Sequence, residues 1–196
     1  MRLYCATTNP GKLREFQRTL SDAFQVEPLP GLESITPCAE TGTTFEANAI
    51  QKALYYSRFC DDPLFVDDSG LEVDALGGAP GVYSARYAGP DATDDANNRM
   101  LLDRMADVAN RTARFVCVVA LAQKGTLLHT FRGEVEGTLL EEPRGKNGFG
   151  YDPLFFYSPF GCTFGEVALE RKMLVSHRAQ ALALLRKAVT AFFSNR

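Results

Sequence analysis

The segment Ala113–Gln123 constrains the fold more than any other part of the chain. It reads ARFVCVVALAQ, and from Phe115 to Ala122 it is apolar at even and odd positions alike. A strand with one wet face alternates, whereas a strand covered on both faces does not. The segment is therefore expected to be the central strand of a sheet with cover on both sides. Amphipathic helices can supply that cover. Leu13, Phe16 and Leu20 share one face of a helix expected over 12–20. Ala49, Ala53 and Tyr56 share a face of a second, read from a capping box with Thr43 as N-cap and Glu46 reaching back, and running to about Phe59. Met100, Leu101, Leu102 and Met105 lie on a third, over 94–108. Leu182, Leu185, Val189 and Phe192 line a C-terminal helix from about His177 to Phe193.

The remaining strands follow from shorter signals. Leu3–Ala6 is an apolar run that stops at a Thr-Thr-Asn-Pro-Gly turn. Pro63–Val66 is a buried-strand signal expected to end at Asp67-Asp68-Ser69-Gly70. Leu127–Leu140 alternates and carries Gly133 and Gly137, which predicts antiparallel strands with a bulge or bend. The stretch 24–39 reads as irregular with at most a short strand, and 77–81 and 144–153 read as loops. Crossovers come early and a meander late, so a mixed sheet flanked by helices is expected, of α/β class. At 196 residues the chain is read as one domain over 1–196, or as two closely packed lobes.

Composition excludes several functions. With 45% hydrophobic and 23% charged residues the chain is neither disordered nor low in complexity. A net charge of −3 does not suit a nucleic-acid polymer or an anionic membrane as partner, although a local cationic pocket can still hold a small polyphosphate. Five widely spaced cysteines without a CxxC pair argue against structural zinc and a disulfide framework. His129 and His177 have no neighbouring ligand pattern. There is no signal-peptide core, and Phe115–Ala122 is far shorter than the roughly 20 residues of a membrane span. A cytoplasmic location is expected.

Five places can carry chemistry. In Thr7-Thr8-Asn9-Pro10-Gly11-Lys12 a strand end feeds a helix N-terminus, where unpaired N–H groups and the helix dipole attract an anion and Lys12 adds a charge. The same residues also read as an ordinary turn with a solvated lysine. Asp67 and Asp68 are paired carboxylates that a cation would reconcile, or simply part of a polar turn. Glu40 is a second possible metal carboxylate or a surface glutamate, and Lys52 a possible phosphate contact or a solvated helix residue. Gly148-Phe149-Gly150-Tyr151-Asp152-Pro153 sets an aromatic between glycines, able to stack on a flat base or to pack locally. Lys172 and Ser176-His177-Arg178 at a helix start suit a carbonyl on a base, unless Ser176 is an N-cap with its neighbours exposed.

Taken in order, these blocks resemble the ITPase-like family of nucleoside triphosphate pyrophosphatases that act on inosine and xanthosine triphosphates. The matching blocks are TTNPGK at 7–12, ETGTTFEANAIQKA at 40–53, VDDSGLEVDALGGAPGVYSARYAG at 66–89, PRGKNGFGYDPLF at 143–155 and SHRAQAL at 176–182. They span nearly the whole chain, and the second and third look like the bacterial branch. The resemblance implies an elongated α/β fold with a mixed sheet, two lobes and a central active-site cleft. It implies Mg2+-dependent hydrolysis of ITP, dITP or XTP at the α–β phosphate bond, giving the monophosphate and pyrophosphate, by a homodimer. Carried over by position, Thr7, Thr8, Asn9, Pro10, Gly11, Lys12 and Lys52 meet the triphosphate. Glu40 and Asp68 match the metal carboxylates, with Asp68 the proton acceptor. Ser69 matches a substrate contact, and Phe149, Gly150, Tyr151, Asp152, Lys172, His177 and Arg178 match the nucleoside site. Donors from Arg178 or a backbone N–H aimed at O6 would select against adenine, which carries a donor there.

Two departures stand out. Ala47 replaces a glutamate common in the family, and Ala179 follows Ser-His-Arg where glycine is usual. Two other readings compete with the pyrophosphatase: an Asp-dependent phosphohydrolase with a covalent phospho-aspartate, and a non-catalytic nucleotide-binding protein of the same fold.

Overall fold

The computed structural model describes the backbone of residues 2–194 and the side chains of residues 2–191. Its strands are β1 Arg2–Cys5, β2 Gln25–Pro28, β3 Leu64–Val73, β4 Thr112–Gln123, β5 Thr126–Leu139, β6 Phe155–Tyr157 and β7 Cys162–Thr163. Its helices are α1 Pro10–Leu20, α2 Phe45–Tyr56, α3 Asp94–Arg104, the short α4 Leu169–Lys172, and α5 His177–Ser194. The strands form a sheet in the order β2-β1-β3-β4-β5-β6-β7. β1 pairs in parallel with β2 and β3, and β6 pairs antiparallel with β5 and β7, so the sheet is mixed as expected. β4, with its two-sided apolar pattern, takes the middle place. β4 and β5 are joined by Lys124 and Gly125, both at positive φ, the two-residue link that suits an antiparallel hairpin.

The chain divides into two compact units. The first comprises the chain up to Asp68, Cys117–Gly133 and the segment from His177 onward. Its core joins Leu3, Phe16, Leu20, Phe65, Val119, Leu182 and Leu185. α5 buries Ala181, Leu182, Leu185 and Val189 in it, the face its periodicity predicted; the side chain of Phe192 lies outside the described residues. The second unit comprises Ser69–Val116 and Glu134–Ser176. Its core centres on the rings of Phe115, Phe155 and Phe164, with Leu71, Leu101 and Tyr151 around them.

Several expectations are corrected. β3 does not stop at Asp67 but runs ten residues through Asp-Asp-Ser-Gly to Val73. A strand tolerates those buried carboxylates because cations meet both of them. The N-cap of α2 is Thr44, whose hydroxyl accepts from Ala47 N–H, and Glu46 turns to the hydroxyl of Thr130 instead of closing a capping box. α2 gives way at Tyr56 to a 3-10 turn over Ser57–Phe59, α3 ends at Arg104, and α1 begins at Pro10. The stretch 24–39 keeps to its expectation, with the short strand β2 and a 3-10 turn at Leu32–Ser34. The 127–140 segment is one long strand. Its glycines serve close approach: a Cβ at Gly133 would stand 2.1 Å from the carbonyl oxygen of His177, and one at Gly137 would stand 2.6 Å from the ring of Phe155.

Candidate active site

β3 is the axis of the site in the first unit. Alternation along a strand sends Asp67 and Asp68 to opposite faces. α1 meets the first and α2 the second. Lys12 Nζ lies 2.9 Å from Asp67 Oδ1. Arg178, at the start of α5, donates from Nε to Asp67 Oδ2 at 3.3 Å and from Nη1 to Glu15 of α1. Burial would raise the Asp67 carboxyl, but Lys12, then Arg178 and Lys52, outweigh it and hold the group well below the usual carboxylate range. The thiol of Cys117 also reaches Asp67 Oδ2, at 3.8 Å, and burial pushes that thiol far up.

On the other face, Lys52 Nζ lies 2.8 Å from Asp68 Oδ1 and 3.0 Å from Glu40 Oε1. Lys52 is thus not a solvated helix residue, and Glu40 is not a lone surface glutamate. Burial raises the Asp68 carboxyl more than Lys52 lowers it, so its shift is opposite to that of Asp67. Burial would lower Lys52, but Asp68, Asp67 and Glu40 together raise it. Asn48, fully buried on α2, donates to Asp68 Oδ2 at 3.2 Å. Among the described residues no group of three His, Cys, Asp or Glu side chains is placed to hold a metal ion. The pair Glu40 and Asp68, already sharing one cation, does fit Mg2+, which keeps waters and takes the rest of its shell from substrate phosphates.

The turn before α1 is more satisfied than its sequence suggested. Asn9 is the N-cap, and its Oδ1 accepts from the backbone N–H groups of Gly11 and Lys12 at 2.8 and 3.1 Å. Asn9 N–H in turn donates to Thr7 Oγ1. Thr8 and Pro10 are exposed and Thr7 is half-buried. Where α5 begins, Ser176, His177 and Arg178 are all buried, so the reading of a plain N-cap with exposed neighbours does not hold.

The second unit gathers Phe149, Gly150, Tyr151, Asp152 and Lys172. Asp152 and Lys172 form a buried ion pair at 2.6 Å. Asp152 Oδ2 also accepts from Phe149 N–H, and Lys172 Nζ stands 5.0 Å from the centre of the Phe149 ring. Tyr151 is part of the core, with its hydroxyl donating to the Ser84 carbonyl. The Gly150 peptide is clasped by α3: its N–H donates to Asp94 and its carbonyl accepts from Asn98. Phe149 is left half-buried over this frame. Ser69, also half-buried, opens the second unit's part of β3.

Sequence reasoning passed over Glu15, Asn48, Asp94 and Asn98. Spacing carried a signal for two of them: 12 and 15, and 48 and 52, share helix faces, and a polar residue on the same face as a lysine is a candidate partner. Asp94 and Asn98 share a face of α3, which holds no lysine to mark them.

The profile of the Ham1 family matches residues 3–188. The chain belongs to the Ham1 family. A dITP/XTP pyrophosphatase of Exiguobacterium sp. is 48% identical over 193 residues, covering 98% of this chain and 98% of that one. Another, of Geobacter sulfurreducens, is 49% identical and covers 94% of each. Among solved structures, the Ham1 protein of Staphylococcus aureus superposes with a TM-score of 0.87 at 37% identity, covering 97% of this chain and 99% of that one. The HAM1 protein of Coxiella burnetii gives 0.87 at 40% identity over the same shares. The family resemblance carried by the five sequence blocks is borne out, as is the α/β class. No helix among the described residues is long and apolar enough to cross a membrane.

Proposed function

We propose that this Ham1-family chain hydrolyses non-standard purine nucleoside triphosphates (ITP, dITP and XTP) to the monophosphate and pyrophosphate. The observation that carries the reading is the geometry of two adjacent carboxylates on β3, each met by its own lysine from a different helix. Asp67 is locked as an anion between Lys12 and Arg178, and so is a poor proton acceptor. Asp68 is shifted upward beside Lys52, the direction a general base needs. Asp68 takes a proton from the attacking water as the water oxygen bonds to the α-phosphorus and the bond to the bridging α–β oxygen breaks. Lys12 and Lys52 hold and orient the phosphates, with Thr7–Gly11 alongside. Glu40 and Asp68 would hold Mg2+, which supplies charge neutralisation at phosphate oxygens.

The second unit's set is assigned to the nucleoside, with the face of Phe149 for the base. Arg178 is assigned to holding Asp67 rather than to the base, because its guanidinium pairs with the carboxylates of Asp67 and Glu15. Ser69 and His177 stay assigned to the substrate by position in the family's blocks. The working protein is proposed to be a cytoplasmic homodimer, and the match of one family model to residues 3–188 supports one domain per chain.

The test is turnover of ITP, dITP, XTP and dATP with and without Mg2+, scoring pyrophosphate against orthophosphate. Pyrophosphate from the first three, dependent on Mg2+, is expected. Orthophosphate with a phospho-aspartate would favour the covalent phosphohydrolase, and binding without turnover would favour the non-catalytic protein.

A further inference from the structure

We infer that Asn48 is a positioning residue that ties the Glu40 loop and Asp68 into one cation-binding unit; this rests on reading Glu40 and Asp68 as the metal carboxylates. Asn48 is 0% exposed. A buried carboxamide must find partners, because a polar group left without one in the interior pays for its lost water with nothing in return. Asn48 divides its partners between two segments. Its Oδ1 accepts from Gly42 N–H at 2.8 Å, and its Nδ2 donates to Asp68 Oδ2 at 3.2 Å. Chemistry fixes that orientation: a backbone N–H needs the amide oxygen, and an ionised carboxylate can only accept. Gly42 lies two residues after Glu40, so one planar amide joins the loop that carries the first carboxylate to the strand that carries the second.

Lys52, four residues on and on the same face of α2, joins the same two carboxylates through Glu40 Oε1 and Asp68 Oδ1. The two links differ in kind. The Lys52 link is a cation on the oxygens a metal would use, so the two compete. The Asn48 link uses the other oxygen of Asp68 and touches Glu40 only through the backbone. It can therefore hold the spacing of the carboxylates whichever cation they share. Gly42 gives access to the same contact from the loop side. A Cβ there would stand 2.7 Å from Asn48 Oδ1 and 2.8 Å from Ala47 Cβ, so Gly42→Ala must shift the amide or the loop.

The test is a titration of the chain with Mn2+ alone, reading the free ion by electron paramagnetic resonance, for wild type, Asn48→Leu, Gly42→Ala and the double variant. Loss of a group that orients metal ligands typically weakens metal binding by ~10–100-fold, and a loss of at least ~10-fold is expected in both single variants. The double variant is expected to lose no more than the worse single one, since both break one contact. At saturating metal both should lower kcat for dITP more than they change KM. Wild-type Mn2+ affinity in the folded single variants would overturn the inference. So would an activity loss that only follows a fall in Tm. If Asn48→Leu does not fold, Gly42→Ala decides by the same readouts. A wild-type chain that binds Mn2+ but releases no pyrophosphate from dITP would overturn the functional reading instead, because the titration reads the Asn48 link without substrate.

Discussion

Asp67 and Asp68 are adjacent on β3, yet each answers to a different lysine: Lys12 Nζ lies 2.9 Å from Asp67 Oδ1, and Lys52 Nζ lies 2.8 Å from Asp68 Oδ1. The pleat separates the two carboxylates, and the two helices that follow β1 and precede β3 bring the cations to opposite faces. One carboxylate has two cationic partners and stays ionised. The other has one lysine, which it shares with Glu40, and burial moves it the opposite way. Two groups of one chemical type are thereby moved in opposite directions.

Asp68→Asn is expected to remove turnover and leave the fold. The amide keeps shape and can still accept from Asn48, but it takes no proton and binds a cation poorly. A loss of at least ~10²-fold in kcat is expected, the low end for a general base. The measurement is kcat for dITP at saturating Mg2+, with Tm alongside. Near wild-type turnover would remove Asp68 from the role.

Asp67→Asn is expected to be milder for catalysis and to reveal itself in stability against pH. Its folded pKa is depressed, so the ionised group stabilises the fold above the unfolded value of about 3.9 and that contribution is lost as pH falls toward the folded value. At pH 7 the variant leaves Lys12 and Arg178 each short of a carboxylate and should melt below wild type. The gap should narrow as pH falls below about 4, because the unfolded wild-type chain takes up a proton there that the folded carboxylate still refuses. Thermal melts from pH 7 down to 2 check this, and a gap independent of pH would rule it out.

Arg178→Ala tests whether a residue matched to the nucleoside site in fact holds the carboxylates. With 2% of its surface exposed, Arg178 sits against Glu15 and Asp67. Removing one partner of a buried ion pair costs about 3–5 kcal/mol, which for a chain of this size lowers Tm by roughly 6–20 °C. The ratio of kcat/KM for dITP and dATP should change little. A stable variant in which that ratio collapses would return Arg178 to the base.

The architecture was legible where hydrophobic pattern alone decides it. The two-sided run of β4 predicted a central strand, and the spacing along α1 and α5 predicted their buried faces. What misled was local chemistry that tertiary partners override. Asp-Asp-Ser-Gly has turn composition, but it continues β3 because Lys12 and Lys52 neutralise it from segments distant in sequence. Thr43 and Thr44 offer the same cap, and only the geometry picks the second. The lysines and carboxylates of the site were each visible as residues. Their pairing was not, since 12 with 67 and 52 with 40 and 68 is set by sheet order, and no local pattern reports it. Asn48 was passed over because a buried amide looks, in sequence, like any helix asparagine.

Lys172→Met should separate base recognition from phosphate chemistry. Lys172 is buried with Asp152, whose Oδ2 also accepts the N–H of Phe149, and its ammonium lies 5.0 Å from the Phe149 ring centre. The change keeps an unbranched side chain one atom shorter and removes its charge. Asp152 is then a buried carboxylate without its cation, and it either takes up a proton or turns toward water. Either response loosens its hold on Phe149 N–H and so on the ring that is proposed to face the base. A stacked base is worth about 1–3 kcal/mol, so kcat/KM for dITP should fall roughly 5- to 150-fold, mostly through KM. Pyrophosphate should remain the product, because Lys12, Lys52 and Asp68 are untouched. A poor substrate that never stacked well should lose less, narrowing the gap between dITP and dATP. Steady-state kinetics on both substrates, with Tm to confirm the fold, gives the answer. Equal losses in kcat for both at unchanged KM would mean that this pair serves the reaction centre and not the nucleoside.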